Sequence, residues 1–158
     1  MAKPYLGGTS AGVLQVNADK TLSVSDSGKL LYLDSASALT VTLPTDANTF
    51  IGYSVKFIVQ RPNDNAYTIK TGDIADSGGD DFVGGIILAT TTAGDCNFIA
   101  PAADDCNIVL DANADNTGCE KGSWVELTKL SADQWMVAGF VYSDDADSDG
   151  TALFTDSD

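Results

Sequence analysis

The chain has 158 residues, of which 44% are hydrophobic and 20% charged, a composition typical of one globular domain that is neither membrane-embedded nor disordered. It has 8 Lys and Arg against 23 Asp and Glu, a formal net charge of −15, which disfavours binding to nucleic acid or to anionic membrane surfaces. Histidine is absent, which excludes Ser-His and Cys-His nucleophiles and His-ligated zinc sites.

The N-terminal region, residues 1–12, consists mostly of small residues, including glycines, and shows no regular spacing of apolar residues. This composition predicts an extended arm. It lacks the apolar core of a signal peptide. The longest apolar stretch of the chain, residues 83–89, is too short to cross a bilayer. We therefore expect synthesis in a cytoplasm.

From residue 13 onward, short segments with apolar residues at every second position alternate with turns rich in Gly, Asn and Asp. This period of two is the pattern of half-buried β-strands. It is clearest at residues 39–43, Leu-Thr-Val-Thr-Leu, which Pro44 ends. In chain order, the predicted strands cover residues 14–16, 21–24, 29–33, 39–43, 55–60, 67–70, 83–89, 97–100, 107–110, 124–130 and 134–142.

The spacing of these segments and the lack of a helical period predict an all-β fold, a single β-sandwich or β-barrel over residues 13–142. An acidic tail, residues 143–158, follows it. No repeat of fixed period is present, which argues against a solenoid. Gly84 and Gly85 lie inside an apolar strand and predict a bulge or a close backbone approach. The last strand is apolar on both faces, so it is either central in the sandwich or covered by a partner chain.

Adjacent carboxylates occur in three turn-rich places, whereas a glycosidase needs two carboxyl groups that face each other across several ångströms. We expect these side chains to be solvated, and no catalytic residue is predicted. The pairs are Asp80-Asp81, Asp104-Asp105 and Asp144-Asp145.

The tail contains the oxygen-ligand spacing of a calcium loop, with Gly150 at the position of the sharp turn. Flanking helices are not indicated, and an Asp- and Ser-rich tail produces such matches by chance. A solvated or loosely docked tail is therefore preferred over a calcium site, and no cofactor is expected. The candidate calcium ligands are Asp145, Asp147, Asp149 and Asp156.

The three cysteines, Cys96, Cys106 and Cys119, are too few to form a standard zinc site without histidine. They are either reduced thiols in or near the core, or one disulfide with a spare thiol. A disulfide would join Cys96 to Cys106, because these two flank one short turn and could end on facing strands.

The aromatic residues could form a carbohydrate platform, but most lie at alternating strand positions, where core or subunit packing is the commoner use. On the last strand, Trp135, Phe140 and Tyr142 are predicted to pack between subunits. The aromatic residues considered are Phe57, Tyr67, Trp124, Trp135, Phe140 and Tyr142.

The order of strand segments over residues 30–142 resembles the capsid decoration (cement) proteins of tailed bacteriophages, especially marine and cyanobacterial phages. The three cysteines and the acidic tail are not part of that pattern. The segments that carry the resemblance are residues 39–44, 52–59, 66–71, 83–86, 122–127 and 134–139.

The resemblance implies a homotrimer on the outside of the icosahedral head, at or near threefold positions, that clamps neighbouring major capsid subunits. The expected partners are then the major capsid protein and the chain itself, in a virion assembled in the host cytoplasm. We expect the arm to lie across the capsid through Pro4, Tyr5 and Leu6. A receptor- or glycan-binding module of a head or tail fibre is the alternative, although no coiled-coil or repeat sequence is present. An Asp-based glycanase comes third.

Overall fold

The computed structural model describes residues 12–73, 80–90, 94–113, 117–144, 150 and 152–156. Within these residues the chain forms twelve strands and two single-turn 3₁₀ helices, Val24–Asp26 and Asp46–Asn48, which confirms the all-β prediction. None of the described helices is long and apolar enough to span a membrane. The strands are β1 Val13–Val16, β2 Lys20–Thr21, β3 Leu30–Leu33, β4 Leu39–Thr42, β5 Ser54–Val59, β6 Tyr67–Lys70, β7 Asp81–Thr90, β8 Cys96–Ile99, β9 Asn107–Leu110, β10 Trp124–Ser131, β11 Gln134–Ser143 and β12 Phe154–Thr155.

Two open mixed sheets pack against each other as a β-sandwich. The seven-stranded sheet has the order β1-β3-β5-β10-β11-β7-β8, and the five-stranded sheet has the order β12-β9-β6-β4-β2. Neither sheet closes on itself, so of the two predicted architectures the sandwich is the one formed.

Strands β1 to β6 alternate between the sheets. In the large sheet β1, β3 and β5 are parallel, and in the small sheet β2, β4 and β6 are parallel. This part of the chain therefore winds like a short solenoid, which we had not expected. The winding leaves no periodic signal in the sequence because its steps differ in length: Val13 aligns with Leu30, and Leu30 with Lys56.

The core lies between the sheets and consists of the inward half of each alternating strand. In β5, Val55, Phe57 and Val59 are at most 1% exposed. The register places Leu31 of β3 and Val125 of β10 beside Phe57, and both are fully buried. Burial of each such side chain contributes about 1.5–3 kcal/mol, so alternation along the strands supplies the main stabilisation of the sandwich.

The Gly pair of β7 is a close backbone approach, as predicted. Gly84 has φ +106°, and a β-carbon there would run into the carbonyl oxygen of Val137 on the neighbouring strand β11. The ring of Phe98 on β8 lies over Gly85, in the space that a side chain would occupy.

Two sequence predictions about strands need correction. Residues 21–24 are not one strand, because β2 ends at Thr21 and a 3₁₀ helix begins at Val24. The C-terminal tail is not simply solvated, because Phe154 lies in strand β12, antiparallel to β9. Leu153 is 0% exposed and Phe154 is 7% exposed. The prediction of a solvated tail rested on the aspartates of this segment. Its two large apolar side chains, Leu153 and Phe154, are buried in the sandwich.

Candidate functional site: the outer face of the large sheet

A single row of outward-facing side chains crosses the whole seven-stranded sheet. Because side chains alternate between the two faces of a strand, aligned residues on neighbouring strands share one face. Every member of the row is apolar or aromatic except Gln15 at one edge. From edge to edge, this apolar row consists of Gln15, Tyr32, Ile58, Trp124, Phe140, Ile87 and Phe98.

The apolar row is open to solvent in the described residues, most clearly toward the β8 edge. Phe98 is 67% exposed and Ile87 is 37% exposed, while Trp124 and Phe140 are partly exposed. Tyr142, on the same side of β11, packs its ring against Phe140 with centroids 4.9 Å apart. We call the apolar row and its apolar neighbours Val13, Met136 and Tyr142 the apolar face.

Strand β11 shows why the sequence is apolar on both faces. Its odd-numbered residues point into the sandwich, and Trp135 is 0% exposed. Its even-numbered residues point outward, and Met136, Phe140 and Tyr142 among them lie on the apolar face. The prediction that Trp135 packs between subunits is therefore wrong, because its ring contacts Tyr53 inside the core with centroids 5.7 Å apart. The subunit-packing role of Phe140 and Tyr142 stays a prediction.

The middle of the apolar face is electrically balanced. Lys56 and Glu126 lie side by side on β5 and β10, with Nζ and Oε2 3.9 Å apart. The ammonium of Lys56 also lies 3.8 Å from the ring centroid of Trp124, a favourable cation–π geometry. In a chain with a net charge of −15, this surface carries opposite charges that cancel.

The opposite outer face, on the five-stranded sheet, is polar. An aligned row of outward-facing side chains crosses this sheet and includes Thr42 of β4, as the alternation of apolar residues and threonines at residues 39–43 indicates. Such a face is well solvated, so the two outer faces of the sandwich differ in chemistry. In order, the aligned residues of this row are Thr21, Thr42, Lys70, Asn107 and Thr155.

An ionic cluster around the buried pair Lys129 and Asp80 joins the two sheets at one end of the sandwich. Asp46 and Asp73 follow strands β4 and β6 of the small sheet, whereas Lys129 lies on β10 and Asp80 directly precedes β7 of the large sheet. The Nζ of Lys129, only 2% exposed, pairs with Asp80 and lies 2.6 Å from Oδ1 of Asp46. It also donates to the carbonyl oxygen of Ala132 at 2.7 Å. We call this arrangement the Lys129 cluster.

The Lys129 cluster was not predicted from the sequence. Lys129 continues the inward series of Val125 and Leu127 on β10, and this position was the available signal. The expectation that Asp80 is solvated is wrong, because Asp80 is 2% exposed and accepts a hydrogen bond from Nε1 of Trp135 at 2.9 Å. Burial raises the pKa of Asp80 above its ordinary value, although hydrogen bonds from Lys129 and Trp135 act in the opposite direction.

The carboxylate pair Asp104-Asp105 is also only half solvated. Asp104 is exposed, but Asp105 is 9% exposed and accepts a hydrogen bond from the backbone N–H of Ala102 at 2.6 Å. Asp105 thus closes its own turn, which explains its burial.

The carboxylate oxygens of Asp46, Asp73 and Asp80 lie within 4.8 Å of one another, close enough in principle to hold a cation. The ammonium of Lys129 already supplies a positive charge to two of them. We therefore interpret the cluster as a structural clasp between the sheets.

Several predicted site residues lie outside the described residues. These are Pro4, Tyr5 and Leu6 of the arm, and Asp145, Asp147 and Asp149 of the calcium pattern. Asp156 is described, and its main-chain carbonyl accepts a hydrogen bond from Nδ2 of Asn107 at 2.8 Å. The arm contact and the calcium site stay predictions.

All three cysteines are free thiols, so of the two alternatives the reduced one is present and Cys96 and Cys106 form no disulfide. Cys96 lies on β8 of the large sheet, aligned with Ala89. Cys106 directly precedes β9 of the small sheet. The turn between the two residues thus leads from one sheet to the other instead of closing a hairpin. Cys106 and Cys119 are buried and Cys96 is exposed.

Thiol labelling should separate these cysteines. Burial raises the pKa of the Cys119 thiol to about 12, and only the thiolate reacts rapidly. With a maleimide reagent at pH 8, we expect Cys96 to react fast and Cys119 to react only after unfolding, as measured by peptide mass spectrometry. The Cys96→Ser variant should lose the fast phase. A fast phase at Cys119 in the folded protein would contradict the structure.

The apolar face and the Lys129 cluster differ in access. The apolar face is on the surface, where a partner can reach it, whereas the ammonium of Lys129 is enclosed.

No protein-family model, curated protein or solved structure matches the chain.

Proposed function

We propose that this chain is a capsid decoration (cement) protein, a non-enzymatic structural protein that binds the outer surface of a tailed-phage head as a trimer. It bridges neighbouring major capsid subunits. The resemblance of residues 30–142 to such proteins gives the biological setting, and the apolar face is the structural observation that supports a role in assembly.

The apolar face supports this role because folded monomers rarely expose large contiguous apolar patches. With strands about 4.8 Å apart, a row across seven strands is about 29 Å long. Aromatic residues such as Trp124, Phe140 and Tyr142 are typical of protein–protein contacts. A surface of this extent suits a permanent place in an assembly.

The net charge of −15 favours the outside of the shell, since packaged DNA repels an acidic protein. A protein that binds only the assembled shell stabilises that state by mass action. Capsid decoration therefore needs no catalytic group.

The glycan-binding alternative receives less support from the aromatic residues. Phe57, Tyr67 and Trp135 are at most 1% exposed, so they cannot stack on a sugar. The ring of Trp124 is partly exposed, but the ammonium of Lys56 lies over it.

The proposal is tested by removing residues 2–12, the arm that precedes edge strand β1. We expect the truncated protein to keep its β circular dichroism spectrum and to lose most of its occupancy on undecorated heads. DNA should then be released from the heads at a lower temperature than with the full chain. A finer comparison replaces Tyr5 and Leu6 with serine and uses Thr9→Ala with Ser10→Ala as the matched control.

Unchanged occupancy after truncation would refute the role of the arm. Absence of the full-length protein from purified virions, together with no binding to undecorated heads, would refute the proposed function.

A further inference from the structure

We infer that the apolar face is the contact between copies of this chain, so that the capsid is met by other surfaces of the oligomer. For its biological setting this assignment rests on the proposed function, but self-association through the face is a property of the isolated protein. The occupant of the face is a second copy of the same chain.

The size of the face fits this assignment. The apolar row is about 29 Å long, and successive residue rows on one face of a sheet lie about 6.8 Å apart. Together with the two full residue rows that flank it, one of which contains Lys56 and Glu126, the apolar row covers a strip of roughly 600 Å² in projection. Side chains make the accessible area larger than the projection. Stable interfaces bury about 800 Å² of accessible surface per partner, which is of the same order as the area of this strip.

The charge distribution of the face permits a second copy as the occupant. Two chains of −15 repel each other wherever acidic surfaces meet. In the middle of the apolar face Lys56 and Glu126 balance each other, so two copies can approach there at little electrostatic cost. A basic partner would instead be attracted to the acidic surfaces of the chain.

The composition of the face agrees with contact between copies. Homo-oligomer interfaces are more apolar than other surfaces and are enriched in aromatic residues and methionine. The apolar face offers Trp124, Phe140, Tyr142 and Met136 on the two central strands β10 and β11. The polar outer face of the small sheet lacks this chemistry along its aligned row.

The test is the mass of the purified full chain in sedimentation experiments over a range of concentrations. We expect a multiple of the 16.4 kDa chain mass: two copies if the face meets itself, or three copies, as the resemblance predicts, if it meets another surface of its neighbour around a threefold axis. The variant Ile87→Thr with Phe140→Thr changes two adjacent members of the apolar row. Threonine keeps a high β propensity, so the fold should persist. Loss of two apolar contacts should weaken association by about 100-fold.

The matched control is Val109→Thr, which removes an apolar side chain from the outward side of β9 on the small sheet. It should sediment like the parent chain, and circular dichroism should show that all variants are folded. An association constant that the double substitution leaves unchanged would overturn the inference. So would a parent chain that is monomeric at every concentration.

A monomeric parent chain that associates only after removal of residues 2–11 would show that its own arm covers the face, which also overturns the inference. Occupancy on undecorated heads separates the two proposals. A monomer that still decorates heads supports capsid decoration but refutes both the trimer and the contact between copies. An oligomer that binds through this face but decorates no head refutes the proposed function alone.

Discussion

The Lys129→Met variant is expected to lose about 3–5 kcal/mol of its free energy of unfolding at pH 7. Methionine fills a similar volume, but it leaves Asp80, a carboxylate with a side chain only 1% exposed, without its cation. Trp135 continues to donate one hydrogen bond to Asp80, which is too little to offset an unpaired buried charge. Urea denaturation gives the measurement, with the slope of the transition as a check that unfolding stays two-state.

Arg61→Met is the matched control. Arg61 pairs with Asp34 at 3.3 Å, but its side chain is 54% exposed, and pairs in solvent contribute at most about 1 kcal/mol. The two substitutions remove the same charge, so the difference between them measures the effect of burial. Equal losses would contradict the assignment of the Lys129 cluster as a clasp between the sheets.

The deficit of Lys129→Met should depend on pH. Because burial raises the pKa of Asp80 above 3.8, the folded chain binds more protons than the unfolded chain just above that pH. The contribution of Asp80 to stability therefore falls as the pH rises through its folded pKa. Lys129 lowers the pKa of Asp80, so its removal should raise that pKa further. A protonated Asp80 needs no cation, so the deficit should shrink between pH 7 and about pH 4.

The Phe154→Ala variant is expected to lose about 3–5 kcal/mol, and Leu153→Ala about 2–5 kcal/mol, of the free energy of unfolding. Both side chains belong to the core, and the carbonyl oxygen of Leu153 accepts a hydrogen bond from the backbone N–H of Val109 at 2.9 Å. Each substitution leaves a cavity between the sheets. Denaturant titration of the folded protein measures the loss.

Asp156→Ala provides the control two residues away. Asp156 is exposed, and its contact with Asn107 uses the main-chain carbonyl, so the change should stay within about 0.5 kcal/mol. If Leu153→Ala were equally neutral, the tail would be solvated after all and the docking of β12 would be wrong.

Local alternation in the sequence determines where most strands lie. The predicted strands at residues 67–70 and 107–110 coincide with β6 and β9, because a period of two depends only on neighbouring residues. The exceptions have local causes as well. Strand β12 has only two residues, Phe154 and Thr155, which is too short for a period to show.

Tertiary structure decides which strands become neighbours, and the candidate site depends on that choice. Phe98, Ile87, Phe140 and Trp124 form one row only because β8, β7, β11 and β10 lie side by side in one register. The same reason explains the false disulfide, since Cys96 and Cys106 are close in sequence but belong to different sheets. Alternation fixes which residues share a face of a strand, whereas pairing between distant strands is set by packing of the whole sandwich, which no local pattern records.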